Sequence, residues 1–194
     1  MHKMEKFVTD DAIAAAALLE RISQLTRTEE QNGDLYPAQW TVLRFLARAN
    51  RFSRNPMAIT HYMGSTRGTV SQTVIALERK GYVARTPSMR DKRSVDVEVT
   101  ESGVEKLAAD PILKLAEEVR SALGEQPKQA RTMLEKILAN LVAANGGRPF
   151  GQCRTCRHFK PQSGTTKGQP HHCGLLEEDL SETDSDAICV EQVA

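Results

Sequence analysis

Apolar residues recur at helical spacing through most of the first 145 positions, and after that the period disappears. Thr9 and Asp10 carry side-chain oxygens able to cap a helix, and the apolar run 12–19 continues through Ile22 and Leu25. That stripe predicts a helix from about Asp10 to Arg27. Asn32-Gly33-Asp34 breaks it, and Pro37 suits the first turn of a second helix whose apolar face is Trp40, Leu43 and Leu46. A third, short helix follows Asn55-Pro56 and stops at Gly64. Between Thr66 and Lys80 the apolar positions Val70, Val74 and Leu77 fall at i, i+4 and i+7, which buries one face and turns Arg67, Ser71 and Gln72 elsewhere. Gly81 supplies the stop. Positions 82–85 and 95–99 read as two strands, and the turn-forming, charged segment 87–92 joins them into a hairpin with a basic tip. Thr100 caps a further helical region reaching about Leu123, with Asp110-Pro111 marking a kink or restart. A last helix opens at Pro127, carries Met133, Leu134, Ile137, Leu138 and Leu141, and ends at Asn145-Gly146-Gly147.

The pattern therefore predicts a mainly α chain with a small β-hairpin over residues 1–146. A second, small module follows over 147–194, where Gly, Pro, Ser, Thr, His and Cys dominate. A length of 194 residues suits one domain with a real core plus such an appendage, and leaves no room for two compact enzymatic domains. One Trp and five Phe speak against a large aromatic-lined pocket.

Net charge changes the picture only when it is resolved along the chain. The formal total of +1 conceals a segment, Ser65 to Ser94, in which seven basic residues (Arg67, Arg79, Lys80, Arg85, Arg90, Lys92, Arg93) face two acidic ones. Beyond Cys173 the balance reverses, with Glu177, Glu178, Asp179, Glu182, Asp184, Asp186 and Glu191 facing no Lys or Arg. No run approaches the roughly 20 apolar residues that span a bilayer, and Met1-His2-Lys3-Met4-Glu5 opens no apolar signal core. A cytoplasmic protein with no membrane partner is expected. In that reducing compartment the four Cys read as metal ligands or reactive thiols before they read as disulfides.

A short helix, a tight turn, a second helix with a polar leading half and a basic two-stranded wing together form a kit for reading duplex DNA. Thr66, Arg67, Thr69, Ser71 and Gln72 combine phosphate donors with side chains able to pair with base edges. Arg67 is the first choice for a base contact. A basic patch alone would be a solvated surface, and it is the order of the elements that points to DNA.

Three stretches carry a family resemblance. They are Tyr36-Pro37-Ala38-Gln39-Trp40-Thr41-Val42-Leu43; Thr66-Arg67-Gly68-Thr69-Val70-Ser71-Gln72 with Leu77-Glu78-Arg79-Lys80-Gly81-Tyr82-Val83; and Asp91-Lys92-Arg93-Ser94 with Val99-Thr100-Glu101-Ser102-Gly103. Over about residues 10 to 143 the chain resembles the multiple-antibiotic-resistance regulator (MarR) family, although Ser65 stands where the family usually carries an apolar residue. The resemblance implies a winged helix-turn-helix between long dimerisation helices, with the helix from Thr66 as recognition helix. It implies that Asp91 orients the wing and Arg93 enters the minor groove, with Arg90 and Lys92 at the same tip. A homodimer on an inverted-repeat operator, acting as a repressor of transcription and not as an enzyme, is the expected function. Many relatives bind a small aromatic effector between the DNA-binding lobe and the dimer helices. Trp40, His61 and Tyr62 lie near that position but are assigned here to packing. Glu78 has a plainer reading, as a surface partner of Arg79 or Lys80.

All four Cys follow residue 150. Cys153 and Cys156 form Cys-x-x-Cys, Cys173 comes after 16 intervening residues and Cys189 after 15 more. Two thiolates that close together bend round one cation, and two further sulfurs complete a tetrahedron, so one zinc per chain on Cys153, Cys156, Cys173 and Cys189 is expected. His158, His171 and His172 are possible substitutes, and His172 would strain the chelate beside Cys173. An iron–sulfur cluster is the alternative metal centre, which would make the chain a redox-sensing regulator. Two other classes compete: a dithiol oxidoreductase using Cys153 and Cys156, which lacks the expected βαβ setting, and an interaction module docking a partner through its acidic end.

Overall fold

In the computed structural model the described residues are 10–31, 33–90, 93–124, 126–148 and 150–193. The expected order of elements holds. Helix α1 (Asp11–Gln31) is followed by α2 (Pro37–Arg48), α3 (Pro56–Met63) and α4 (Arg67–Arg79). The hairpin β1 (Val83–Pro87) and β2 (Val95–Val99) comes next, then α5 (Glu101–Ala108), α6 (Ile112–Leu123) and α7 (Pro127–Ala144). The asparagine side chain of Asn55 caps α3 by accepting from Ala58 N at 2.9 Å, and Thr100 caps α5 by accepting from Gly103 N at 3.1 Å. The break at Asp110-Pro111 is a true restart, because Asp110 accepts from Ile112 N at 2.8 Å.

The hairpin is antiparallel, in a register running from Val83 opposite Val99 to Pro87 opposite Val95. Its first strand reaches two residues further than the sequence pattern predicts, and α1 runs four residues past Arg27. Both extensions have a tertiary cause: Pro87 is paired across the hairpin, and Glu30 is tied to Arg44 on α2 at 2.6 Å. The core is built from the inner faces of α2, α3 and α4 with the hairpin: Trp40, Val42, Leu43, Phe45, Leu46, Ile59, Val70, Val74, Leu77, Val83 and Val97. Gly103 lets α5 approach the hairpin, since a Cβ there would lie 2.2 Å from the Tyr82 carbonyl oxygen.

Helices α1, α6 and α7 behave differently. Neither α6 nor α7 buries a residue, and Glu30 is the one buried residue of α1. Their apolar stripes, including Leu18 and Leu25 on α1 and Leu134, Leu138 and Leu141 on α7, face outward. Among the described residues no helix is long and apolar enough to cross a membrane.

After Gly147 the chain forms short pieces only. Strand β3 (Gly151–Gln152) leads into a 3-10 turn at Cys153–Thr155, followed by β4 (Phe159–Lys160), β5 (His171–Cys173), β6 (Glu178–Leu180), α8 (Glu182–Asp186) and β7 (Ile188–Cys189). Strands β4, β5 and β6 form one antiparallel sheet, and β3 pairs with β7. These segments pack on the winged-helix body. Ile188 and Val190 enter its core, and Phe150 meets Phe45 and Tyr62 edge-on at 5.7 and 5.2 Å. In the other direction Phe52, from the turn after α2, joins Cys153, Leu180 and Cys189 in a second buried cluster. The small module thus makes up for its few apolar residues by sharing two cores with the body.

Candidate nucleic-acid interface

The turn before α4 rests on Gly64, which ends α3 at φ 58°, a left-handed conformation that glycine adopts without strain. Thr66 then starts α4. Its hydroxyl accepts from Thr69 N at 3.2 Å and lies 2.9 Å from the Thr69 hydroxyl. One of the expected DNA-facing residues, Thr66, therefore also caps the helix. Val70, Thr73, Val74 and Leu77 are buried, while Thr66, Arg67, Thr69, Ser71 and Gln72 are exposed along the leading half. Among the described residues Arg67 forms no ion pair, which leaves its planar fork of donors available to a base edge or a phosphate.

At the base of the wing, the partner of Glu78 is neither Arg79 nor Lys80. It accepts from Arg85 at 2.9 and 2.5 Å, linking the end of α4 to β1. That hydrogen-bonded guanidinium holds the Glu78 carboxyl below its ordinary range. Lys80 donates to the Asp34 carbonyl oxygen. Ser88 N donates to Ser94 O at 3.1 Å and closes the hairpin beneath its tip. Arg90 and Arg93 lie exposed at that tip, whereas Asp91 and Lys92 fall outside the described residues. Arg90 has company that the sequence did not suggest: its guanidinium sits 4.7 Å over the Phe52 ring, and its Nε is 3.9 Å from Glu178.

The cysteines are brought together in part. Cys153 and Cys189 share one buried cluster, with Cys173 packed against it, and Cys156 lies half-buried beside the 3-10 turn. Asn50 Nδ2 donates to Cys153 Sγ at 3.5 Å, while its own Oδ1 is buried without a partner. The neighbouring Cys189 sulfur, together with burial, pushes the Cys153 thiol up. The same contact, helped by donors from Asn50, the Glu191 backbone and Ser53, pulls Cys189 down. Two adjoining buried sulfurs are the donor set of a thiophilic site. As placed, however, no three His, Cys, Asp or Glu side chains among the described residues form a group that could hold a metal ion.

The alternative histidines are engaged elsewhere. His172 Nδ1 lies 2.9 Å from Asp179, which hydrogen-bonds to it and raises its pKa. His171 Nδ1 accepts from Gln162 N at 3.2 Å, and its Nε2 is 3.2 Å from Glu182. His158 Nε2 accepts from the adjacent Arg157 at 3.2 Å. Sequence reasoning missed the turn Asn50-Arg51-Phe52-Ser53, on which the module docks. An aromatic flanked by Arg51 and Arg54 outside any helix was the available signal.

Helix, turn, helix and basic hairpin define a winged-helix protein. A model of the MarR family matches residues 34–94, the span from before α2 to the end of the wing loop. The solved structure of a MarR transcriptional regulator from Methanosarcina mazei Go1 is similar at 23% identity, covering 70% of this chain and 99% of that one, with a TM-score of 0.54. MepR of S. aureus in its DNA complex is similar at 22% identity over 67% and 96% of the two chains, with a TM-score of 0.52. CouR from Rhodococcus jostii RHA1, bound to p-coumaroyl-CoA, is similar at 17% identity over 70% and 93%, with a TM-score of 0.55. No curated protein matches the chain.

Proposed function

We propose that the chain is a MarR-type transcription regulator that binds duplex DNA through α4 and the wing, works in the cytoplasm as a homodimer, and represses from an inverted-repeat operator. The observation that carries this reading is the exposed polar leading half of α4 beside a basic hairpin, within the segment that the MarR family model matches. The outward apolar stripes of α1 and α7 support pairing with a second copy, because one recognition helix covers only a half-site. A small-molecule effector fits the same reading, CouR having been solved with p-coumaroyl-CoA.

Selection from a random duplex pool tests it. The expected product is an inverted repeat with half-sites about 10 base pairs apart, centre to centre. Arg67→Ala should reduce discrimination against altered bases by about 1–3 kcal/mol. No enrichment of any sequence, or selection of one isolated half-site, would remove the reading.

A second reading concerns the module: one zinc per chain on Cys153, Cys156, Cys173 and Cys189, folding residues from about Gly147 onward. The buried Cys153–Cys189 pair with donors aimed at its sulfurs supports it, and Cys156 and Cys173 would have to close on that pair. Zinc bound there would supply a closed structural staple and no reaction. Cobalt titration checks it: four thiolates give strong charge-transfer absorption and tetrahedral bands, and Cys173→Ser should weaken both. Iron with acid-labile sulfide in protein purified without air would replace zinc by a cluster, and a redox-sensing role would follow.

A further inference from the structure

The turn after α2 touches three things at once. Asn50 N donates to Ile188 O at 2.9 Å, and Val190 N donates to the buried Ser53 hydroxyl at 2.9 Å, which seats β7 on the turn. On the wing side, Val97 N of β2 donates to Arg54 O at 2.7 Å. Between these contacts Phe52 is packed among Cys153, Leu180 and Cys189, and two guanidiniums approach its ring, Arg51 at 4.5 Å and Arg90 at 4.7 Å.

One carboxylate serves both of those cations. Glu178 lies 3.8 Å from Arg51 Nη2 and 3.9 Å from Arg90 Nε. It stands on β6 directly opposite Cys173 in the register, so the cysteine module itself sets its position. Arg51 is held further by Asp184 at 2.7 Å and by the Asp179 carbonyl oxygen at 2.5 Å. Arg51 is therefore a fixed anchor, and Arg90 is the partner free to leave.

We propose that the C-terminal module restrains the wing: Glu178 holds Arg90 on the Phe52 ring and competes with DNA phosphate for its charge, so that the docked module lowers duplex affinity. This rests on the wing being a DNA contact. Glu178 and Phe52 are positioning residues that act through Arg90. A phosphate reaching the tip would meet a cation already partly neutralised, and the Glu178 carboxylate would repel it. Release of Glu178 adds one cation to the interface without changing any residue that faces DNA.

Non-specific binding of the full chain to a random-sequence duplex pool reads this directly, because phosphate contacts dominate such binding and each one sets part of its salt dependence. Glu178→Gln should bind about two- to fivefold more tightly at low salt, with the slope of log affinity against log salt steeper by about 0.9. Glu178→Asp, which keeps the charge, should stay near wild type. Glu178→Gln combined with Arg90→Gln should match Arg90→Gln alone, an equality that a merely structural effect of residue 178 would not produce. Unfolding curves matching wild type would confirm that Glu178→Gln is intact. An unchanged slope and affinity in Glu178→Gln would overturn the proposal, as would weaker binding, which would make the module a support of the wing. A wild-type chain that binds no duplex would instead remove the DNA-binding reading beneath it.

Discussion

Arg44 ties three elements through one side chain. From α2 it donates to Asp110 at 2.7 and 2.5 Å and to Glu30 of α1 at 2.6 Å, and both carboxylates are buried. Arg44→Ala would leave two buried charges without a cation, at a cost of about 3–5 kcal/mol. Arg44→Lys keeps the charge but loses the planar fork, so its cost should fall between those of alanine and wild type. Urea unfolding measures both, and a loss under about 1 kcal/mol for alanine would mean that water replaces the guanidinium. None of this was legible in the sequence, because the partners stand 14 and 66 positions away. For the same reason Glu78 was assigned to its chain neighbours, while the fold carries it to Arg85 on the strand beyond the helix.

At the scale of elements, legibility followed periodicity. Helices α1 to α4, the hairpin and the restart at Asp110-Pro111 could be read because each presents its apolar residues at 3.6 or 2 per repeat and carries a stop or cap in its own residues. Element ends were read less well, since pairing across the hairpin and the anchor at Glu30 decide them from outside. In the module, strands of two or three residues hold no period to detect. The exposed half of α4 was readable as the positions between the buried ones. The restraint on Arg90 was not, because Phe52 and Glu178 meet it only after the module has docked.

For the molecule as a whole, the shared cores decide whether module and body are separable. Ile188 lies in the same cluster as Trp40, so Ile188→Ala should cost about 2–5 kcal/mol and shift both the helical signal and Trp40 fluorescence in a single transition. A separate early loss of the module with an unmoved Trp40 signal would show that the body closes alone. The contact between Ser53 and Val190 joins residues 137 positions apart, and this has a kinetic side. Helices α2 to α4 can associate through local contacts, but Ala49, which bridges to Ile188, and the core beside it stay open until residues 188 and 190 have been synthesised and a very long loop has closed. On a ribosome the nascent body would therefore present an apolar face for most of the time the chain is being made. Chaperone engagement should concentrate in that interval and end when the last core residues arrive.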